Sequence, residues 1–421
     1  MLATRDTTAP DDSRGSAVSL EADTVTEASS STQGGNALWW LRSVSFLQML
    51  GVGLVLAYGG VWMKERGLNE AYIGQLSSLS TLLGFFAGFG WAILADRKQW
   101  TQQILFGGLL GAAACTAYLT TCSTATDFLI YALLRPLASG MVLSLLQLLA
   151  VSVLANHGAQ GLGYASYRIF GSMGYIVGTL LIPQLTNDLV RLLLIGAAVT
   201  AVAALPLWRL RAPIRSQRHY VSPKLVLKNR ALVPLFASLF LFAMASPAYL
   251  QFAPIYAREL GASTEFIGLF CSMTGFVAVI GLPLTGRLVD RYGTRRLIWL
   301  ALLTQPLRVA GYGLVGGEYW LLVVPQLMHA FTWAGLEIAG VLYVTRQALP
   351  GNQATALALY TGAQTMGVFL GASLSGHLAQ HASYPLMYLV MAAIASLAIV
   401  VFIVASRIAA VPASGSVEDQ S

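Results

Sequence analysis

The sequence predicts an all-α membrane protein: twelve transmembrane helices arranged as two pseudo-symmetric six-helix bundles. Three observations predict it. The chain of 421 residues is 56% hydrophobic and only 10% charged, too little charge to cover a soluble protein of that length. Twelve apolar runs stand at about 38–63, 71–95, 102–122, 128–154, 164–184, 189–208, 231–257, 264–288, 297–315, 320–345, 354–379 and 386–406, each near the ~20 residues that a spanning helix needs. The chain also contains one stretch twice. Residues 62–97 and 256–291 align without a gap, and Glu65/Glu259, Gly67/Gly261, Ile73/Ile267, Gly74/Gly268, Ser78/Ser272, Leu94/Leu288, Asp96/Asp290 and Arg97/Arg291 are identities at a constant separation of 194 residues.

In chain order, residues 1–37 are rich in Ser, Thr, Ala and Asp without an apolar period and are expected to form a disordered tail. They lack the basic start and apolar core of a secretory signal. Residues 38–208 hold the first six runs and 231–407 the second six, with a linker at 209–230 and a second tail at 408–421. The linker carries Arg209, Arg211, Arg215, Arg218, Lys224, Lys228 and Arg230 and no acid. On the same side lie Arg97, Lys98, Arg291, Arg295, Arg296 and Arg346, whereas the opposite loops carry only Lys64, Arg66, Arg191 and Arg258. The bias of basic loops toward the cytoplasm predicts both termini there, in the inner (plasma) membrane. The net charge of +7 therefore follows topology, and no nucleic-acid partner is expected. Cys115, Cys122 and Cys271 fall in or beside apolar runs, far from any metal-ligand spacing, and read as packing residues.

The second copy of the repeat ends in Gly286-Arg287-Leu288-Val289-Asp290-Arg291-Tyr292-Gly293-Thr294-Arg295-Arg296. This resembles, at every named position, the Gly-x-Leu-x-Asp-Arg-x-Gly-x-Arg-Arg loop motif of the major facilitator superfamily, which likewise pairs two six-helix halves around a midplane cavity. The first copy is degenerate: Ala92 replaces the Gly, and Lys98-Gln99-Trp100 follow Asp96-Arg97. The resemblance implies a gating latch at Asp96, Arg97, Gly286, Asp290 and Arg291. An Asp at one helix end can accept hydrogen bonds from a neighbouring helix N-terminus and pair with an Arg, holding the halves together on one side.

Within that superfamily the chain looks most like the lactose-permease and phenylpropionate-permease branch of proton symporters. The stretch Tyr164-Ala165-Ser166-Tyr167-Arg168-Ile169-Phe170-Gly171-Ser172-Met173-Gly174-Tyr175 resembles that branch's fifth helix, and Tyr249 to Tyr256, Arg308 and His329 fit the same comparison. Two positions depart from it. Neutral Gln147 is the nearest candidate where the sugar permeases carry a fourth-helix carboxylate, and Thr332 stands where they carry an acid after the histidine. The resemblance thus does not carry over a galactoside-type site.

Polar groups inside a bilayer are expensive and mark function. Of eighteen acids, six lie in the N-terminal tail, two in the C-terminal tail and nine at helix ends or loops, leaving Glu337. At ~1.5 Å per residue, Glu337 is about 13 Å from the end of its run and Arg308 about 16 Å from the same face, so the two are expected to be partners. Glu337, Arg308 and His329 are the candidate proton-coupling residues, although a lone His serves equally to tie two helices. Arg135 precedes Pro136 and either faces the cavity or binds the carbonyl that the proline frees. Arg168, Arg135, Gln147, Tyr58, Gln251, Trp333 and Gln364 are the candidate substrate-binding residues.

No nucleophile–base pair, metal cluster or phosphate-cradling glycine loop is legible, so neither enzyme activity nor a cofactor is expected. The expectation is a monomeric secondary transporter taking up a small organic solute with protons. Proton-coupled efflux and a transporter-like sensor or scaffold without flux are the alternatives. A variant tests the latch: Asp290→Asn should slow transport in vesicles while membrane insertion stays at the wild-type level.

Overall fold

The computed structural model describes residues 13–156, 160–210, 226, 229, 232–348 and 352–410, and the side chains of all of these except 13–37, 96, 154–156, 160–165, 282, 334, 354 and 408–410. It is all-helical, with no strand among the described residues. Twelve helices follow the twelve apolar runs. α1 is Ser13–Glu65, α2 Glu70–Lys98 and α3 Thr101–Thr121. α4 comprises Ala125–Ser139 and Val142–Asn156. α5 runs Gln160–Ile176 and continues through a π turn at Val177–Leu181, and α6 is Leu189–Val202.

In the second half α7 comprises Val233–Met244, Ser246–Leu250 and Phe252–Glu259. α8 is Thr264–Tyr292 and α9 Thr294–Gly313. α10 is the most broken: Val323–Leu327, His329–Gly335, a π turn at Leu336–Gly340, then Val341–Gln347. α11 is Gln353–His381 and α12 Tyr384–Ala410. Among the described residues nine segments are long and apolar enough to cross a membrane. The others, α5, α9 and α11, are helical but more polar, α9 carrying Arg295, Arg296, Gln305 and Arg308.

α1 begins at Ser13, within the stretch expected to form the tail. Extending a helix already nucleated by an apolar span fixes one residue per hydrogen bond gained, and no proline follows Pro10 before Leu38. The linker at 211–225, the tail at 411–421 and residues 1–12 lie outside the described residues.

α1 packs on α5 and α6, α3 on α4 and α6, and α2 on α4; α7 packs on α11 and α12, α8 on α10, and α9 on α10 and α12. Between the halves α2 meets α11, α5 meets α8, and α1 meets the last piece of α7. Within a membrane, association cannot draw on expulsion of water, so close approach of backbones and hydrogen bonds must supply it. Glycine permits that approach. A Cβ on Gly74 would stand 2.5 Å from the carbonyl oxygen of Ala372 in α11, and one on Gly268 would collide with the carbonyl oxygen of Thr179 in α5. These two glycines are repeat partners, which explains their identity.

Hydrogen bonds join the halves at the same end of the molecule. The Tyr58 hydroxyl donates to Thr264 O (3.0 Å), the Ala71 N–H to Gln380 Oε1 (3.1 Å), and the Ser78 hydroxyl to Phe369 O. We call this the closed end; at the other, open end Arg97, Asp290 and Arg291 are exposed. The turns repeat too. Gly67 and Gly261 have φ of 87° and 86°, a left-handed conformation that only glycine adopts freely, while Gly293 (φ 84°) has Gln99 (φ 55°) as its counterpart. The degenerate copy of the loop motif thus forces a glutamine into the left-handed region, at a cost of about 1 kcal/mol.

Gly74→Leu and Gly268→Leu should each wedge the closed end apart. Overpacking costs about 1–3 kcal/mol, roughly a 5- to 150-fold change in the closed-to-open ratio. Spin labels at positions 123 and 383, which lie on opposite halves, should report a longer distance; an unchanged distribution would show that these crossings do not hold the end shut.

Candidate functional site

The closed end is sealed by charge across the pseudo-two-fold. Lys64 Nζ lies 3.3 Å from Glu259 Oε1, and Arg258 Nη2 lies 2.8 Å from Glu65 Oε1. Positions 64 and 258, and 65 and 259, are each 194 apart, so each half's base meets the other half's acid. This is the self-complementary contact that a two-fold generates. Lys64 also pairs with Glu70 of α2, and the Tyr384 hydroxyl donates to Glu70 Oε1 (3.2 Å) with Glu259 Oε1 at 3.5 Å. Sequence reasoning misses Lys64, Glu70, Arg258 and Tyr384 as functional. The repeat holds the signal, because a base precedes an identical glutamate in both copies.

Deeper in, Glu337 Oε1 lies 3.5 Å from Arg168 Nη2, joining α10 to α5 across the halves. Among the described residues this is the inter-half ion pair nearest the open end. Arg168 is 27% and Glu337 42% exposed, so both face the space between the halves. Glu337 sits on the π turn of α10, a distortion that recurs at functional positions.

This corrects the expected pairing of Glu337 with Arg308. Arg308 is fully buried, donating from Nη1 to Thr332 Oγ1 (3.1 Å) and from Nη2 to Gln326 Oε1 (2.9 Å), with Cζ 3.8 Å from the Tyr249 ring centroid. Depth along the helix axis does not fix rotation about it. In α10 the helical phase is reset at Met328 and again at the π turn, so Gln326 and Thr332 face α9 while Glu337 turns toward α5.

The remaining candidates divide. His329 is buried, stacks on Trp333 (5.6 Å, 5° between planes), and its Nδ1 has no hydrogen-bond partner among the described residues. Gln147 and Gln364 are half-buried. Arg135 borders a cavity of about 240 Å³ with Ser80, Thr81 and Ser139, its guanidinium 6.0 Å from the Tyr131 ring centroid. The carbonyl that Pro136 frees, Ala132 O, accepts instead from the Ser80 hydroxyl (2.8 Å), so the structural role considered for Arg135 belongs to Ser80. Tyr58 is fully buried on Thr264, and Gln251 Nε2 donates to Ile73 O at 3.5 Å. The sequence reading places both among the substrate-binding residues; here both tie the halves together at the closed end. A larger recess of about 650 Å³ opens there between α2 and α11, with Arg66 and His381 on its wall, away from Glu337.

The loop-motif residues are disengaged. Asp290 is exposed with no ion pair among the described residues, Arg291 lies over the Tyr292 ring (5.3 Å), and a Cβ added at Gly286 would meet nothing within 4 Å. Arg97 is exposed, and the side chain of Asp96 lies outside the described residues. Among the described residues, the ion pairs between the halves thus lie at the closed end and at Arg168–Glu337, away from the loop motif.

Half-exposed ion pairs are each worth about 0.2–1 kcal/mol. The double variant Glu65→Gln with Glu259→Gln should therefore open the closed end roughly 2- to 30-fold, read as a longer distance between labels at 123 and 383. Glu65→Gln alone should have the larger share of the effect, since Lys64 keeps Glu70 as a partner when Glu259 is neutralised whereas Arg258 loses its carboxylate.

Comparison with known proteins agrees with this geometry. The model of the MFS_1 like family matches residues 38–390. A maltose permease of Geobacillus stearothermophilus is 26% identical over 358 residues, covering 82% of this chain and 88% of the permease. A probable 3-phenylpropionic acid transporter of Escherichia coli is 24% identical over 340 residues, 78% and 87% of the two chains. Among solved structures, a mutant of the nucleoside transporter NupG superposes with a TM-score of 0.79 at 19% identity, over 88% of this chain and 99% of that one, a likeness of fold. These relatives are transporters and not enzymes. With paired helical halves, a sealed end and a charge-lined space between them, the chain belongs to the MFS_1 like family and is a multi-pass inner-membrane secondary transporter of small molecules.

Proposed function

We propose that the protein is a proton-coupled symporter that brings a small organic solute into the cell by alternating access, with Glu337 as the proton carrier and Arg168 as its switchable partner. One observation carries this: the single acid placed within the membrane by the sequence pairs across the two halves, 3.5 Å from a base on the opposite bundle. A carboxylate beside a guanidinium favours the ionised form, and one left alone in a low-dielectric site favours the protonated form. Rocking that separates α5 from α10 therefore loads and unloads a proton.

The excess of basic residues at the open end favours the cytoplasm for that end and for both termini, which makes this conformation inward-facing. Residues 38–208 and 231–407 rock as two bundles within one chain, with the basic linker 209–230 at the cytoplasmic surface. The translocation path lies within a single chain, so a monomer suffices. The family includes relatives named for maltose and for 3-phenylpropionic acid, and we assign the solute to that size range: a nucleoside, sugar or aromatic acid. Arg308, bonded to Thr332 and Gln326, and His329, whose backbone carbonyl accepts from Thr332, form one buried cluster on the closed-end side of Glu337, and we assign them a supporting role in coupling.

For one proton per solute, one pH unit across the membrane drives at most about tenfold accumulation. Proteoliposomes holding the wild-type protein should approach that ratio, and Glu337→Gln should abolish accumulation while retaining exchange of labelled for unlabelled solute. Accumulation surviving in Glu337→Gln refutes the carrier, and solute leaving the compartment as protons enter it identifies efflux antiport.

A further inference from the structure

The charges within the membrane do not balance among the described residues. At ~1.5 Å per residue, Arg135 lies about 15 Å into α4 from Ala125, Arg168 about 12 Å into α5 from Gln160, and Glu337 about 15 Å from the end of α10 at Gln347. Arg308 lies about 21 Å into α9 from Thr294. Three guanidinium groups therefore share the interior with one carboxylate. Arginine does not deprotonate in proteins, so this excess is permanent.

Nor do the arginines neutralise it by other means. Among the described residues Arg308 has only neutral partners, the Thr332 and Tyr312 hydroxyls, the Gln326 carbonyl and the Tyr249 ring, and its Nε, though buried, has no hydrogen-bond partner. Arg135 has no carboxylate within 4 Å among the described residues and borders an open cavity of about 240 Å³. A site with this surplus repels a cation and is indifferent to a neutral solute. A monoanion lowers its energy.

We infer that the solute is an organic monoanion whose carboxylate replaces Glu337 as the counter-ion of Arg168. This rests on the symport reading and names its substrate class. Arg168 and Glu337 are both partly exposed to the space between the halves, so a solute there reaches the guanidinium. When Glu337 takes a proton it becomes neutral and Arg168 loses its counter-ion. A solute carboxylate then fits the same planar fork, which donates two parallel hydrogen bonds. A proton and a monoanion add no net charge, so loading both leaves the interior charge unchanged. Proton and solute are coupled because each takes one side of a single ion pair.

The groups around Glu337 leave this exchange to Arg168. From α11 the Tyr360 hydroxyl donates to Leu336 O (2.9 Å) and not to the carboxylate. Arg308 of α9 and His329 of α10 are buried toward the closed end, and α8 contributes Cys271 toward that end and Arg287, Asp290 and Arg291 at the open end. Among the described residues no carboxylate other than Glu337 lies within 4 Å of Arg168.

The test is binding to the full chain in lipid nanodiscs, from about pH 5 to about pH 8, using matched pairs: benzoate and benzamide, phenylacetate and phenylacetamide, lactate and lactamide. In at least one pair the carboxylate should bind tenfold or more tightly than the amide. Its Kd should weaken by up to about tenfold per unit of rising pH, since one proton is taken up per anion bound. Glu337→Gln should hold the low-pH Kd across the whole range. Arg168→Gln should lose about tenfold or more for the carboxylate and leave the amide unchanged.

No pair favouring its carboxylate, or a wild-type pH slope in Glu337→Gln, overturns the inference. The symport reading fails separately. Proton-linked anion binding without proton-driven accumulation sinks symport and keeps the anion site, whereas accumulation of a neutral solute that no carboxylate inhibits does the reverse.

Discussion

Everything in this structure hangs on how two helical bundles hold together where expulsion of water contributes nothing. The closed end answers with two devices that a pseudo-two-fold duplicates. Backbones touch at Gly74 against Ala372 and at Gly268 against Thr179, and bases meet acids reciprocally as Lys64–Glu259 and Arg258–Glu65. Neither device is strong. Partly exposed ion pairs are weak and helix contacts in lipid are modest, so the seal can break within a transport cycle. A seal made of a large interlocked core would hold one conformation and stop transport.

The interior charges follow from the same need for reversibility. A buried carboxylate without a partner would neutralise itself by taking up a proton, and one permanently paired would never release its partner. Glu337 has its partner on the other bundle, so in the proposed cycle the pair forms and breaks with the rocking of the halves. Arg308 is the contrasting case. Its hydrogen bonds to Gln326 and Thr332 stay within one bundle, whereas the contact of Arg168 crosses to the other bundle.

Distortions in the helices place these groups. α10 departs from α-helical geometry at Met328 and at Leu336–Gly340, and α7 breaks at Ala245 and Gln251. Freed backbone groups in such breaks must find partners, and the Ser80 hydroxyl on Ala132 O in α4 shows how a neighbouring helix supplies one. His329 and Trp333, four residues apart within one regular segment, stack as neighbours on a helix face do, while the π turn sends Glu337 to a different neighbour from Thr332, five residues earlier.

Much of this is legible in the residues themselves. Composition and the length of the apolar runs specify a membrane protein of many spans, because hydropathy is local and additive along the chain. The repeat of 194 residues specifies two similar halves, and its identities mark real constraints: positive φ at Gly67 and Gly261, close crossings at Gly74 and Gly268. The isolation of Glu337 among eighteen acids is likewise a property of sequence alone. What the tertiary structure decided was partnership. Depth in the membrane follows from counting residues, but the direction a side chain takes around its helix depends on every π turn and break before it. Which helix of the other half lies opposite depends on the conformation in which the halves meet. For that reason Glu337 faces Arg168 and not Arg308, Tyr58 and Gln251 tie the closed end together, and the acids and bases flanking Gly67 and Gly261 became a seal only once the two halves were folded against each other.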